Sequence, residues 1–172
     1  MDWSFICVFL AFIIYLIYNG FVIHLFGIPY SLSNTYYLFQ NKKKWMKILF
    51  PIMMVLTVAF LLPAWLEISE GDNLQFLAFF ASAGLLFVGV APAFMSSSLE
   101  NKVHTYSAIA SALFSLLWVI FVAKVWWLIL VWLIVLTLIA ILTKSVKTAP
   151  IYWLENVAFM STFIAILIHY TF

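Results

Sequence analysis

Ionisable side chains are so scarce in this 172-residue chain that each can be weighed alone: six acids, three histidines and eight lysines, with no arginine. Glu155 comes first. Counted from Pro150 at ~1.5 Å per residue, it falls roughly 7 Å inside an apolar stretch, and a carboxylate at membrane depth is costly enough to imply a function and a partner. Glu100 and His104 follow, four residues apart and therefore on one face of a helix that begins by Ser97. His24 completes the set, near the end of the first apolar stretch. Two carboxylates and two imidazoles suffice for a zinc or di-carboxylate metal site, with His24, His104 and Glu155 as the ligands if a metal is held. They also suffice for a proton relay or for acid and base catalysis. The spacing selects none of these, because neither His-x-x-x-His nor His-Glu-x-x-His occurs.

Structural roles compete for the same residues. Glu155 can snorkel to the interface or pair with Lys144 or Lys147. Ser97-Ser98-Leu99-Glu100 matches a capping box, in which Glu100 serves the start of a helix, and His104 in that first turn can be an interfacial polar residue. Glu67 and His169 fall at the opposite boundary, where exposure accounts for both. The single cysteine, Cys7, excludes a disulfide framework, a cysteine-based zinc site and Cys-x-x-Cys redox chemistry. No lysine lies deep in a span to hold retinal, no arginine can sense voltage, and no Thr-Val-Gly-Tyr-Gly filter is present.

The elements that position these residues follow from composition. Two-thirds of the chain is apolar, 8% is charged and a fifth is aromatic, far from the roughly one-quarter charged composition of soluble domains. The expected fold is all-α, a polytopic transmembrane bundle of about six helices in one domain, because ~20 apolar residues are needed to cross ~30 Å of hydrocarbon. The spans read Trp3 to Phe26, Met46 to Leu66, Leu74 to Met95, Val103 to Ala123, Val125 to Thr143 and Pro150 to Tyr170. Met1-Asp2-Trp3 runs straight into apolar sequence with no basic region or cleavage site, so the first segment is expected to remain as a span.

Lysines orient the bundle, since positive loops stay cytoplasmic. Lys42, Lys43, Lys44, Lys47, Lys102, Lys144 and Lys147 share one side and Lys124 lies alone on the other, which places both termini outside. Asp2, Glu67, Glu70 and Asp72 then fall on the outer face. Trp3, Trp65, Trp126 and Trp127 mark outer boundaries, and Trp45 and Trp153 mark inner ones. A multi-pass protein of the cell membrane, of the bacterial inner-membrane type, is expected, with the bilayer as its first partner and no nucleic acid.

The loop from Gly27 to Trp45 is the one long connection. In it Ser33 or Asn34 is placed to cap a short helix carrying Tyr36, Tyr37, Leu38 and Phe39 at the inner interface. Ser31, Ser33, Asn34, Tyr36 and Tyr37 are the loop residues positioned to close over His24, Glu100, His104 and Glu155. Small residues predict the packing: Ser107, Ser111 and Ser115 with Ala108 and Ala112 on the fourth span, and Ala78, Ala81, Gly84 and Gly89 on the third. These two spans are expected at the centre, with the fifth facing lipid. The two halves of the chain show no usable inverted repeat.

Between Phe76 and Trp118 the chain reads Phe-Leu-Ala-Phe-Phe-Ala-Ser-Ala-Gly-Leu-Leu-Phe-Val-Gly-Val-Ala-Pro-Ala-Phe, then Leu-Glu-Asn-Lys-Val-His, then Ser-Leu-Leu-Trp. With Gly-Ile-Pro-Tyr-Ser-Leu-Ser-Asn-Thr-Tyr-Tyr from Gly27, this resembles a family of small uncharacterised polytopic membrane proteins of gut bacteria and their phages. That resemblance implies a fold and no activity. Pro29-Tyr30-Ser31-Leu32-Ser33 is more loosely similar to the Pro-Tyr-Ile-Ser-Asp element of the six-span Frag1/DRAM/Sfk1 group, without its acid. His104 and Glu155 fall where that group would have a histidine and a late acidic residue, and the similarity implies a lipid-remodelling role.

The leading expectation is a cytoplasm-facing polar cavity of His24, Glu100, His104 and Glu155 that binds or translocates a small molecule, lipid or ion, with Glu155 paired to His104 or, second, to His24. One alternative is a membrane enzyme acting on a lipid or prenyl substrate, with Glu155 or Glu100 as base. The other is a partner-binding subunit or homo-oligomeric pore without a small-molecule site.

Overall fold

The computed structural model describes residues 3–171, so the outer-face assignment of Asp2 lies outside the described residues. The chain is all-helical, in the order α1 (Trp3–Phe26), α2 (Thr35–Lys42), a 3-10 turn (Lys44–Ile48), α3 (Leu49–Ile68), α4 (Phe76–Val90), α5 (Ser98–Phe121), α6 (Trp127–Leu142), α7 (Ser145–Thr148) and α8 (Pro150–Thr171). Among the described residues four segments are long and apolar enough to cross a bilayer: α1, Lys44–Ile68, α5 and α8. They make the chain a membrane protein.

The other two expected spans are shorter as helices. α4 has 15 residues and α6 has 16, about 22 and 24 Å at 1.5 Å per residue, against ~30 Å of hydrocarbon. The third span was expected to run to Met95, and Pro92 is the reason it stops at Val90. A proline disfavours the helical region for the residue before it, and Ala91 sits at φ −109°, ψ 52°. α6 follows a tight reversal in which Lys124 takes φ +58°.

Local signals set the other ends. α1 stops at Gly27, whose φ of +73° suits a residue without Cβ, and the Gly27 amide donates to the Ile23 carbonyl at 2.9 Å. α5 begins five residues before its expected start at Val103, because Ser97 caps it: the Ser97 hydroxyl accepts the Glu100 amide at 3.1 Å. α2 forms where a short helix was expected, yet neither Ser33 nor Asn34 caps it through a side chain. Its entry amides go to backbone carbonyls, Thr35 to Leu32 and Tyr36 to Ser33.

α1, α3, α4, α5 and α8 form a ring in which each packs on the next, and α6 leans on α8 from outside. The tightest seam is α4 against α5. A Cβ on Gly84 would lie 2.7 Å from the Ser107 carbonyl and 2.8 Å from Ser111 Cβ, so glycine lets the two backbones touch. In an apolar solvent such close contact, rather than apolar burial, is what holds helices together. α6 buries only Leu128.

One end of the ring gathers the C-terminus of α1, α2, the α4–α5 connection and the N-terminus of α8. At the other end Trp118 Nε1 of α5 donates to Ser69 Oγ after α3 at 2.7 Å, and the Tyr170 hydroxyl of α8 donates to Glu67 at 3.1 Å. Trp65, read from sequence as a boundary anchor, is 1% exposed and sits edge-on to Trp118 at 6.1 Å between ring centroids. Its position near the helix end was legible, but its direction, inward, was not.

Candidate functional site: a cavity beneath the first loop

Glu155 and, from the first loop, Ser33 are the sequence-predicted residues that line a cavity. The cavity lies between α3, α4, α5 and α8 under Leu32 and Ser33 of the loop. On α3 its lining runs from Phe50 through Met54 and Leu61 to Trp65, about 22 Å along the helix axis. Its volume is ≈ 50 Å³ for the centres of water-sized spheres. This exceeds the ~10–15 Å³ that a single water requires. Ser111, Ser115 and Thr162 add hydroxyls to walls that are otherwise mostly apolar. At the far end the buried indole N–H of Trp65 has no acceptor among the described residues.

The carboxylate is held by backbone. Leu32 N–H donates to Glu155 Oε2 at 2.6 Å, where His104 or His24 had been expected as its partner. Leu32 is presented by a rigid turn: it is 2% exposed, its carbonyl accepts from the Thr35 hydroxyl, and Thr35 in turn bonds the Tyr18 hydroxyl of α1. The Ser31 and Ser33 hydroxyls pair at 3.1 Å, and Ser31 Oγ also accepts the Asn34 amide at 3.1 Å. The Tyr152 amide donates to the Tyr30 carbonyl at 3.1 Å, which ties the same turn to α8.

The other predicted residues have separate surroundings. His104 Nδ1 lies 3.0 Å from the Ala91 carbonyl, and its ring stacks on Phe94 at 4.5 Å. Glu100 accepts from the hydroxyls of Ser96 and Ser97 at the start of α5, and its own amide is capped by Ser97, so its carboxylate engages hydroxyls where a backbone amide was expected. His24 is exposed. Among the described residues no group of three or more His, Cys, Asp or Glu side chains could hold a metal ion. These four groups do not form a single cluster: Glu155 meets the Leu32 amide, His104 the Ala91 carbonyl and Phe94, Glu100 the hydroxyls of Ser96 and Ser97, and His24 is exposed.

Tyr36 and Tyr37 serve that packing. The Tyr37 hydroxyl accepts the Met95 amide at 2.6 Å, and its ring meets Phe94 edge-on at 5.3 Å, so α2 fastens the α4–α5 connection. Burial raises the pKa of this hydroxyl above its ordinary value. Tyr36 is buried, with the Lys47 ammonium 5.8 Å over its ring.

Sequence reasoning missed a polar seam between α1 and α8. The Tyr15 hydroxyl donates to Asn156 Oδ1 at 2.8 Å, and the Tyr152 hydroxyl donates to Asn19 Oδ1 at 3.0 Å. Each asparagine also donates to a backbone carbonyl one turn earlier, Asn19 to Tyr15 and Asn156 to Tyr152. The available signal was Tyr-x-x-x-Asn in both helices, Tyr15/Asn19 and Tyr152/Asn156, which puts each pair on one face. Comparison of the chain with family models, curated proteins and solved structures returns no match.

Proposed function

We propose that the chain is a six-crossing membrane protein, with both termini outside, that holds the tail of a single-chain amphiphile in the cavity and its polar head against Glu155. The observation that carries this reading is the lining of the cavity: mostly apolar side chains from four helices, spread along α3 from Phe50 to Trp65, with a single carboxylate at the loop end. The lysine-bearing first loop forms that end, so the head is read on the cytoplasmic side. α4 and α6 complete the six crossings as short helices, with local bilayer thinning accommodating the mismatch.

The lining selects the head group. It includes hydroxyls and one carboxylate but no cation, and one carboxylate oxygen already accepts the Leu32 amide. A head that donates a hydrogen bond, an alcohol or an ammonium, complements it. An anionic head does not, since a like charge beside a half-buried carboxylate is unfavourable.

Native mass spectrometry of protein in nanodiscs loaded separately with 1-hexadecanol, hexadecylamine and palmitate tests this. Retention of the alcohol and the amine, and not of palmitate, is expected. Glu155→Gln should weaken the amine more than the alcohol, and Ala112→Phe, which fills the cavity, should abolish both. Equal retention of palmitate, or unchanged retention in a folded Ala112→Phe variant, would overturn the reading.

A further inference from the structure

Glu155 and Asn156 are adjacent, yet they face different spaces. The α8 face carrying Glu155, Ala158, Phe159 and Thr162 lines the cavity. The face carrying Tyr152, Asn156 and Met160 is the floor of a second, open cleft of ≈ 340 Å³. α1 supplies one wall of this cleft with Tyr15, Asn19 and Gly20, and α6 supplies the other with Trp132 and Leu136. Both walls pack on α8 without an extensive contact between them, so the cleft opens sideways. Its lining is uncharged, and in a bilayer its mouth meets hydrocarbon.

Between cleft and cavity stands one thin partition, the α1–α8 seam. Tyr15 lines the cleft and stacks at 4.7 Å on Phe159, which lines the cavity. The seam is closed by side chains: the reciprocal Tyr15–Asn156 and Tyr152–Asn19 bonds and that aromatic stack. Rotation of Tyr15 would open the seam at this level while the Tyr152–Asn19 bond still joins α8 to α1.

We infer that this seam is a lateral portal through which a membrane amphiphile passes from the bilayer, by way of the cleft, into the Glu155 cavity, with Tyr15 as the gate. The inference rests on the proposed reading of the cavity. It adds a route, and a route alters rates without altering occupancy at equilibrium.

Gly20 makes the route testable, because a Cβ built there meets nothing within 4 Å. Gly20→Leu therefore obstructs the cleft without a backbone clash, and Leu136→Trp narrows it from the opposite wall. Protein in nanodiscs is loaded with 1-hexadecanol and mixed with deuterated 1-hexadecanol, and native mass spectrometry follows both bound amount and exchange rate. Each obstructing variant should slow exchange several-fold at unchanged occupancy. Tyr15→Phe, which removes one seam hydrogen bond and keeps the stack, should speed it by ~2- to 10-fold. Native exchange rates in the obstructing variants at native occupancy would overturn the portal alone. No bound hexadecanol in the native protein would overturn the cavity reading and the portal with it.

Discussion

Gly84→Ala is the smallest change that interrogates how this bundle coheres. The added Cβ would approach the Ser107 carbonyl at 2.7 Å, Ser111 Cβ at 2.8 Å and Ser111 N at 3.0 Å. Two of these atoms belong to backbone and none is the movable end of a side chain, so relief requires α4 and α5 to separate by roughly half an ångström or more. Overpacking of this kind costs ~1–3 kcal/mol. For a chain of this size, 1 kcal/mol moves the melting temperature by about 2–4 °C, so a fall of ~2–12 °C is expected. The assay is thermal unfolding in one fixed detergent, read by loss of the monodisperse peak in size-exclusion chromatography. Gly20→Ala is the matched control, since its Cβ enters open space and alanine is favoured over glycine in a helix by ~0.5–1 kcal/mol. Its melting temperature should hold or rise. If Gly84→Ala melted at or above the native temperature, the α4–α5 seam would not be the close backbone contact on which the description of the fold depends.

Three further changes probe the loop end and its opposite. Ser97→Ala removes the cap that accepts the Glu100 amide and should cost ~0.5–2 kcal/mol, with faster amide exchange in the first turn of α5 and little change elsewhere. Tyr37→Phe deletes the acceptor for the Met95 amide; a loss of ~1 kcal/mol and a local rise in hydrogen exchange across the α4–α5 connection are expected, and protection of Met95 equal to the native value would count against the latch. Trp118→Phe removes the indole donor to Ser69 and should lower the melting temperature by several degrees, because Ser69 is fully buried and loses that partner.

Membrane residence and helix content were determined by the sequence alone, because both depend on quantities that add along the chain. A charged fraction of 8% cannot cover a soluble surface, and unbroken apolar stretches leave helices as the way to satisfy backbone groups in lipid. Local signals read correctly for the same reason: Ser97 and Glu100 meet within one turn, and Gly84 with Ser107 and Ser111 was visible as a stripe of small residues. Glu155 was conspicuous as an acid among apolar residues. Its partner was not, since Leu32 N–H is a backbone group 123 positions away and carries no side-chain signature. The grouping of His24, Glu100 and His104 with Glu155 rested on depth along each helix, which is only one coordinate. Rotation about each helix axis is the other, and it is set by neighbours. It turned His104 onto Phe94, Glu100 back to its own cap, Trp65 inward, and Glu155 and Asn156 into different spaces. One-dimensional hydrophobicity assigns residues to a level in the bilayer, and only the packing of α1, α3, α4, α5 and α8 decided which of them share a cavity.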